Sequence, residues 1–525
     1  MPPSISLSLV SHTNAGKTTL ARTLLGRDVG TVRDAPHVTE FADVYTMLET
    51  PQGEQLRLWD TPGFGDSVRL VKRLRASGSP LGNPLGWFMS EVWDRWRDRS
   101  FWASQQAMRN VRDEADVMLY LVNAAESPEG AGYVQPEMEL LGWIDKPVIV
   151  LLNQLGAPRE RGVEAAEVAR WRAHLAAHPH VRAVLPLDAF ARCWVQEITL
   201  LQTIEAVLIG ERQALMGRLR AAWQAQRLQS FEAAMHSLAQ SMARLAGAFE
   251  LLPDPGTLGA RVRRVGSAIG VATGLRDSDQ TPTAVAQQAL AGRLDAEVRA
   301  NTLMLIRLHG LEGQAQSEIL ERLATHFETR LRMDEGKAAL WGGMVSGALV
   351  GLKADILSGG LTLGGGLLAG GLIGALGAAG LARCVNLVRG TGQSWVAWNG
   401  EALNQMLEAA LLRYLAVAHF GRGRGEWAQG ESPAHWRAVV QQALASQRDV
   451  IGVVWRERDG RGGGVVPEGD AEQLIAAALE PIIAQAASDA LTLLYPGAAP
   501  IATPGWTRQP AALGESAQTV LPPSG

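Results

Sequence analysis

A strand, an eight-residue turn and a helix near the N-terminus leave only a small class of folds open to this chain. The strand is the alternating apolar run Ile5–Val10, the turn is Ser11–Thr18 with the sequence SHTNAGKT, and the helical segment is Thr19–Leu25. This order is the context that a phosphate-binding loop, or P-loop, requires. Backbone N–H groups of such a turn face phosphate oxygens, and the helix N-terminus adds the positive end of its dipole. The sequence therefore predicts a nucleotide-binding α/β domain.

The residue types of the turn predict roles toward a bound nucleotide. Lys17 supplies a positive charge for the β- and γ-phosphates, and the Thr18 hydroxyl is a ligand for Mg²⁺. Ser11 stands where the usual pattern has its first glycine. The predicted nucleotide contacts of this stretch are Asn14, Ala15, Gly16, Lys17, Thr18 and Thr19.

Two further elements follow in the expected order. The predicted strand Gln55–Trp59 leads into Asp60-Thr61-Pro62-Gly63, the DxxG pattern, in which the carboxylate holds Mg²⁺ through water and the glycine N–H senses a γ-phosphate. Thr39 lies in a polar loop before the predicted strand Phe41–Leu48. It is placed to close on Mg²⁺ as a switch threonine, and a solvated loop threonine is the alternative. The sequence thus predicts Mg²⁺ ligands at Thr18, Thr39 and Asp60, and catalytic roles for Lys17, Thr39 and Gly63.

The P-loop, Thr39 and the DxxG motif together resemble the translation-factor-class GTPases of the Era/TrmE type. The stretch His12–Thr18 is similar in particular to a bacterial family whose members join such a domain to a C-terminal domain of unknown function with a Gly-rich apolar centre. This chain has a Gly-rich run of that kind at Gly359–Gly364. The resemblance covers most of the chain and implies GTP and GDP as ligands, Mg²⁺ as cofactor and a P-loop GTPase fold. It implies no cellular role.

The segment that should read the guanine base departs from the family pattern. After the predicted strand Val148–Leu152 stands Asn153-Gln154-Leu155-Gly156, where the family has Asn/Thr-Lys-x-Asp. Asn153 can bond the base nitrogen N7, but the aspartate that would accept from two guanine N–H groups is missing, which removes a charge-assisted bidentate contact. Asp188 follows a later strand, and there either a substitute contact or an ordinary strand-end aspartate is compatible with the sequence. The resemblance favours GTP over ATP.

The DxxG glycine is followed by Phe64, where some GTPases place a water-orienting glutamine. A phenylalanine cannot orient water, so help with hydrolysis must come from a partner, a bound cation or a second copy in a G-domain dimer. Asn14 is relevant because the TrmE type has an asparagine at this position together with a potassium ion. The alternative is that Asn14 only favours the turn.

Composition narrows the partners and the compartment. The 525 residues carry a net charge of −4, which gives no general attraction to nucleic acid or to an anionic membrane, and no motif points to nucleic acid. The chain has two cysteines and begins with Met1-Pro2-Pro3 directly before the first strand, without a signal peptide. We therefore expect a cytoplasmic protein, with association with the inner membrane as an open alternative.

Strands alternating with helices predict a P-loop GTPase domain with a mostly parallel sheet over residues 1–210. Residues 66–103 form an aromatic-rich extension of its second switch region. Either a helix packs these aromatics inside the protein, or the extension is a nucleotide-dependent docking surface, since Trp and Arg are enriched at interfaces. The extension carries Trp87, Phe88, Trp93, Trp96 and Trp102 among its aromatic residues.

Beyond residue 210 the pattern is helical and predicts an all-α C-terminal domain. Helical regions at 211–335 and 391–495 flank a Gly-rich apolar hairpin at 336–390, and the Pro/Ala/Gly-rich tail 496–525 is predicted to be disordered. The predicted helices are Gln213–Leu251, Ala284–Leu308, Gln314–Leu331, Ala397–Phe420, Ala434–Ser446 and Ala471–Leu494.

The Gly-rich hairpin has the length and composition of a membrane element. Residues 356–382 carry no charge over 27 positions, and a second uncharged run, Ala338–Leu352, precedes them. Glycines at four-residue spacing allow two helices to approach backbone to backbone. Membrane contact through 338–382 and a tight hairpin buried in the C-terminal domain both stay open.

Taken together, the motifs predict a Mg²⁺-dependent GTP-binding protein that hydrolyses GTP slowly to GDP and phosphate and acts as a nucleotide-dependent switch. One alternative is a nucleotide-binding scaffold that does not hydrolyse GTP. The other is a dynamin-like protein that remodels membranes with its hairpin.

Overall fold

The structure is a computed structural model, and it describes residues 2–26, 42–76, 99–153, 161–187, 193–252, 282–311, 385–389, 394–419, 434–460 and 468–496. The chain divides into two compact units. Most of the first is Met1–Leu228, and most of the second is Gln229–Val417 together with Ala428–Pro496.

A six-stranded sheet forms the centre of the first unit. Its strands are β1 (Ser4–Ser11), β2 (Asp43–Glu49), β3 (Gln55–Asp60), β4 (Val117–Asn123), β5 (Val148–Asn153) and β6 (Val181–Pro186). They lie in the order β2-β3-β1-β4-β5-β6, and only β2 runs antiparallel to its neighbour. The predicted mostly parallel sheet is confirmed, although β2 begins at Asp43 rather than Phe41, which lies outside the described residues.

Burial of the inner strands follows directly from their sequences. β4 is VMLYLVN and β5 is VIVLLN, and nearly every side chain in both is buried. Continuous apolar runs of this kind are required where helices cover both faces of a parallel sheet. The helices of this unit are α1 (Lys17–Leu25), α2 (Ser67–Ala76), α3 (Arg99–Asp113), α4 (Val134–Gly142), α5 (Arg161–Leu175) and α6 (Trp194–Val207).

The aromatic-rich extension is described only at its two ends, in α2 and α3. There Phe101 is buried and Trp102 is partly buried against the hydrophobic core of the first unit. The two ends therefore contribute to that core, and both interpretations of the extension as a whole stay predictions. The remaining aromatics of the extension, from Trp87 to Trp96, lie outside the described residues.

The C-terminal part is helical, as predicted, with one small sheet in addition. Its elements are α7 (Gly210–Gly247), β7 (Phe249–Leu251), α8 (Pro282–Leu308), β8 (Val385–Arg389), β9 (Ser394–Trp398), α9 (Gly400–Ala418), α10 (Ala434–Ala445), α11 (Arg448–Gly460) and α12 (Glu468–Leu494). The strands β7, β9 and β8 form an antiparallel sheet that the helical pattern did not predict. The predicted helix Gln213–Leu251 correspondingly ends at Gly247, and the one expected from Ala397 begins at Gly400.

Most of the predicted Gly-rich hairpin lies outside the described residues. Of 336–390, the structure describes only 385–389, which form the strand β8 rather than part of a helix. The predicted helix Gln314–Leu331 and the tail 497–525 are likewise outside the description. Among the described residues, one segment, Asp470–Leu494 in α12, is long and apolar enough to cross a membrane, and it is mostly buried.

Candidate nucleotide-binding site

The P-loop connects β1 to α1 through two residues in the left-handed backbone region. Asn14 has φ 67° and Gly16 has φ 90°. Asparagine tolerates this region better than most residues, and glycine enters it freely. The left-handed backbone of Asn14 gives this exposed residue a part in the turn. The potassium ion remains a prediction. Gly16 directly precedes α1, whose N-terminus is directed at the loop.

Lys17 carries its charge into a buried position at the start of α1. Its side chain is only 8% exposed, and Nζ donates to the Ser11 hydroxyl at 2.8 Å and to the His12 carbonyl at 3.5 Å. Burial lowers the pKa of the Lys17 ammonium to about 8, and the carboxylates of Asp60 and Glu137 act in the opposite direction. Ser11, which replaces the usual glycine, is thus a hydrogen-bond acceptor for the phosphate-binding lysine.

Thr18 and Asp60 form an oxygen-rich corner beside the P-loop. Thr18 Oγ1 donates to Asp60 Oδ2 at 2.6 Å, and the other oxygen, Oδ1, is buried and accepts no hydrogen bond from the described residues. Burial raises the pKa of Asp60 to about 6, although the hydrogen bond from Thr18 and the charge of Lys17 lower it. A hydroxyl and a carboxylate with a buried oxygen left over fit Mg²⁺, which prefers oxygen ligands and keeps several waters.

The DxxG loop is held against the P-loop by backbone bonds. Phe64 N donates to the Ser11 carbonyl at 2.8 Å, and Thr13 N donates to the Phe64 carbonyl at 3.2 Å. The Phe64 ring is fully buried in the core, so its role is structural. A side chain at Gly63 would put its first carbon 3.0 Å from Lys17 Nζ and 2.9 Å from Thr13 Cα, so only glycine fits there without a shift.

Asn153 bonds the P-loop from the opposite side. It is fully buried at the end of β5, and its Nδ2 donates to the Ala15 carbonyl at 2.8 Å. The contact of Asn153 with a guanine base remains a prediction. The neighbouring Gln154–Gly156 and the candidate Asp188 lie outside the described residues.

The structure therefore brings together most of the predicted site. Lys17, Thr18, Asp60 and Gly63 meet at the carboxyl ends of β1 and β3, and Ala15, Thr19 and Asn153 are buried next to them. In open α/β sheets ligands bind at this edge. The switch threonine Thr39 lies outside the described residues, so its role is still a prediction.

One group of residues beside the P-loop was not identified from the sequence. The side chain of His12 lies 2.7 Å from Glu137 of α4. The Tyr120 hydroxyl donates to Glu137, and the Tyr133 ring stacks on His12. His12 and Glu137 are separated by 125 positions, and Glu137 belongs to no nucleotide-binding motif. No local signal marks it, since Glu137 and Glu139 stand two positions apart on α4 and only the fold shows that Glu137 is the buried one.

Two family models match the chain, one after the other. The first, described as a 50S ribosome-binding GTPase, matches residues 6–154. The second, a domain of unknown function (DUF3482), matches residues 172–459, which is more than half of the chain. The N-terminal domain is a P-loop GTPase domain, and a helical region follows it.

Individual relatives of known identity resemble only part of the chain. GTPase Era of Heliobacterium modesticaldum (strain ATCC 51547 / Ice1) is 24% identical over 159 residues, which are 30% of this chain and 42% of the relative. A crystal structure of Era in complex with MgGDPNP and nucleotides 1506–1542 of 16S ribosomal RNA is 18% identical with a TM-score of 0.30, covering 40% of this chain and 59% of that one. Era of Aquifex aeolicus, as a variant bound to GDP.AlF4⁻, is 16% identical with a TM-score of 0.29, covering 57% and 89%.

Proposed function

We propose a function for this chain, which belongs to the DUF3482 family and carries a P-loop GTPase domain ahead of that region. The chain binds GTP and GDP together with Mg²⁺ and hydrolyses GTP slowly to GDP and phosphate. It acts as a switch whose state depends on the bound nucleotide. The chain spans less than half the length of the curated Era protein that it matches, so the activity of that relative is a proposal for this chain.

The observation that carries the proposal is the corner formed by Lys17, Thr18 and Asp60. A buried ammonium, a hydroxyl and a carboxylate with one buried unbonded oxygen lie together at the helix N-terminus. An ammonium compensates phosphate charge, and the oxygens of Thr18 and Asp60 would hold Mg²⁺, with Thr39 as the third predicted ligand. When bound, Mg²⁺ supplies charge neutralisation for the phosphates.

Slow hydrolysis follows from the position of Phe64. In the reaction a water oxygen forms a bond to the γ-phosphorus, and the bond from that phosphorus to the β–γ bridging oxygen breaks, which leaves GDP and phosphate. Phe64 lies in the core and has no polar atom to orient that water. The missing help would come from a potassium ion at Asn14, from a second G domain in a dimer or from a partner protein.

The proposed place of action is the cytoplasm, at the inner membrane through residues 338–382. The support is the sequence alone: within this segment, residues 356–382 are uncharged and long enough to span a bilayer, and the glycines are spaced for helix pairing. A dynamin-like remodelling activity would use the same segment.

Competition binding and single-turnover hydrolysis test the proposed function. We expect GTP and GDP to displace a fluorescent GDP analogue at much lower concentration than ATP, with Mg²⁺ present. Hydrolysis of bound GTP should require Mg²⁺. A hydrolysis rate that is higher in K⁺ than in Na⁺ would support a potassium ion at Asn14. Tight binding without hydrolysis in any salt would favour the scaffold alternative, and a preference for ATP would overturn the guanine assignment.

A further inference from the structure

The P-loop needs support, because part of it lies in an uncommon backbone conformation. Asn14, a residue with a side chain, has φ 67°. Such residues persist only where the surrounding structure holds them. Two supports belong to recognised parts of the site: the backbone bonds to Phe64 and the bond from Asn153 to the Ala15 carbonyl. They act on the backbone of Ser11, Thr13 and Ala15 and hold no side chain of the loop.

A third support comes from Glu137, which lies on α4. Its side chain is fully buried, and its two oxygens have different partners. Oε1 lies 2.7 Å from His12 Nδ1, and Oε2 accepts from the Tyr120 hydroxyl at 2.7 Å. An ionised carboxylate only accepts hydrogen bonds, so Nδ1 of His12 is the donor when Glu137 is ionised. The His12 ring is also stacked on Tyr133, with ring centres 4.5 Å apart and planes inclined by 20°.

The held residue, His12, is directly linked to the phosphate-binding lysine. Its carbonyl oxygen accepts from the Ser11 hydroxyl at 2.5 Å and from Lys17 Nζ at 3.5 Å. The Ser11 hydroxyl in turn accepts from Lys17 at 2.8 Å. A side chain anchored on two partners fixes the peptide that follows it, so the position of the ammonium depends on the His12–Glu137 contact.

We propose that Glu137 and His12 form a positioning pair that holds the start of the P-loop and the Lys17 ammonium ready for the β- and γ-phosphates. The inference rests on the nucleotide site proposed above and adds to it two residues that act through Lys17. The pair acts through His12, whose carbonyl accepts from the phosphate-binding Lys17, whereas Asn153, the residue predicted to read the base, bonds Ala15. Loss of the pair should therefore weaken binding of nucleotides with a β-phosphate more than binding of a monophosphate.

The experiment compares GDP and GMP on the full chain. Both compete against a fluorescent GDP analogue in Mg²⁺, and each variant is also melted. Glu137→Gln removes the charge with little change of shape, His12→Ala removes the donor, and His12→Asn keeps a donor near the position of Nδ1. Glu139→Gln is the matched control, because Glu139 lies on the same helix but pairs with the exposed Arg75.

We expect Glu137→Gln and His12→Ala to raise the Kd of GDP about tenfold, a loss of about 1.4 kcal/mol. The Kd of GMP should change less than threefold, His12→Asn should restore most of the GDP affinity, and Glu139→Gln should match wild type. Equal losses for GDP and GMP, or no loss in His12→Ala, would overturn the pair. If Glu137→Gln does not fold, the comparison of His12→Ala with His12→Asn decides, since His12 is 31% exposed.

The same measurements separate this inference from the proposed function. A wild-type protein that prefers ADP to GDP would refute the guanine assignment, and the ADP-to-AMP ratio in the same variants would still test the pair. A wild-type protein that binds neither diphosphate would overturn both.

Discussion

Lys17 is the residue on which phosphate binding depends most directly. It brings one positive charge into a buried site and fills no part of the hydrophobic core. We predict that Lys17→Ala reduces affinity for GTP about a hundredfold or more, because charged hydrogen bonds to the phosphates are lost. The fold should remain. Fluorescence titration with a GTP analogue measures the affinity, and circular dichroism checks the fold.

Lys146, a half-buried lysine away from the P-loop, gives the contrast. Lys146 Nζ donates to the carbonyls of Val111, Arg112 and Ala115 at the end of α3, far in sequence from the P-loop. Lys146→Ala should lower the melting temperature and leave GTP affinity unchanged. If Lys17→Ala binds GTP like wild type, the P-loop assignment is wrong.

Asp60 gives the site a dependence on pH. Burial raises its pKa to about 6, above the value of about 3.9 in an unfolded chain. Without metal, the contribution of this group to stability is thus present at low pH and lost as the pH rises through about 6. Mg²⁺ needs the ionised carboxylate, so its affinity should follow the opposite course. We predict that Mg²⁺ affinity falls about tenfold between pH 7.5 and pH 5, measured by Mg²⁺ titration of nucleotide release.

Asp60→Ala identifies the source of that dependence. The variant should lose Mg²⁺-dependent retention of nucleotide far more than binding in EDTA, and its weak Mg²⁺ response should not vary over this pH range. Equal losses with and without Mg²⁺ would mean that the carboxylate is structural.

The sequence could predict the residues of the site that belong to local motifs. Lys17 and Thr18 follow a strand and open a helix, and Asp60 ends the neighbouring parallel strand, so their meeting is a consequence of the sheet order. Glu137 could not be predicted, because its contact with His12 depends on how α4 packs beside β4. The hydrogen bond from Asn153 to the Ala15 carbonyl was also missed, because the base-reading motif indicates a contact with the base and not one with the P-loop backbone.

At the scale of elements, one buried carboxylate joins α6 to the first half of α7. Glu197 is 2% exposed, accepts from Trp223 Nε1 at 2.8 Å and pairs with Arg227 at 2.9 Å. The Arg227 guanidinium also lies over the Trp223 ring, 4.6 Å from its centre. Removing the carboxylate leaves the buried Trp223 Nε1 and the partly exposed Arg227 without this partner.

We predict that Glu197→Ala lowers the free energy of unfolding by about 3 kcal/mol, the lower end of the range for a broken buried pair, because Arg227 is partly exposed. The matched change is Glu205→Ala, which removes a pair between the same helices in which both side chains are about a quarter exposed. That change should cost less than about 1 kcal/mol. Denaturant unfolding compares the two, and equal costs would contradict the role given to Glu197.

Helix propensity and the spacing of apolar residues did not predict some elements of the structure. The helix α11 contains Asp449-Val450-Ile451-Gly452-Val453, a run of β-branched residues and glycine that disfavours helix. It is helical because its packing overrides that preference: Trp455 is buried and its Nε1 donates to Asn404 Oδ1 at 2.8 Å. The strands β7 and β9 pair across more than a hundred positions, and such pairing leaves no local pattern.

At the scale of the whole molecule, the sequence predicted two regions of different architecture, and the structure has them. The parallel sheet is confirmed because its strands are long apolar runs with helices between them. The helical region is confirmed because α8, α9 and α12 repeat apolar residues at helical spacing and bury them. The Gly-rich segment lies almost wholly outside the described residues, so its proposed membrane contact stays a prediction from sequence.

The last prediction concerns that segment and uses the full chain. Gly347 and Gly370 contribute no side chains, so their value lies in close approach of two helices. In the membrane interpretation, Gly347→Leu or Gly370→Leu should retain or increase flotation with liposomes and reduce self-association through the hairpin, measured by crosslinking on the vesicles. Ala369→Leu adds similar bulk one position away from Gly370 and should increase flotation while leaving association intact.

In the buried interpretation the same glycine changes overpack the C-terminal domain. They should then lower its stability by about 1–3 kcal/mol, with no flotation of any variant. Nucleotide binding should persist in both cases, because the P-loop and its supports lie within the first 153 residues. If both leucine variants keep wild-type stability, flotation and association, close helix packing is the wrong interpretation, because a leucine between two touching backbones must separate them.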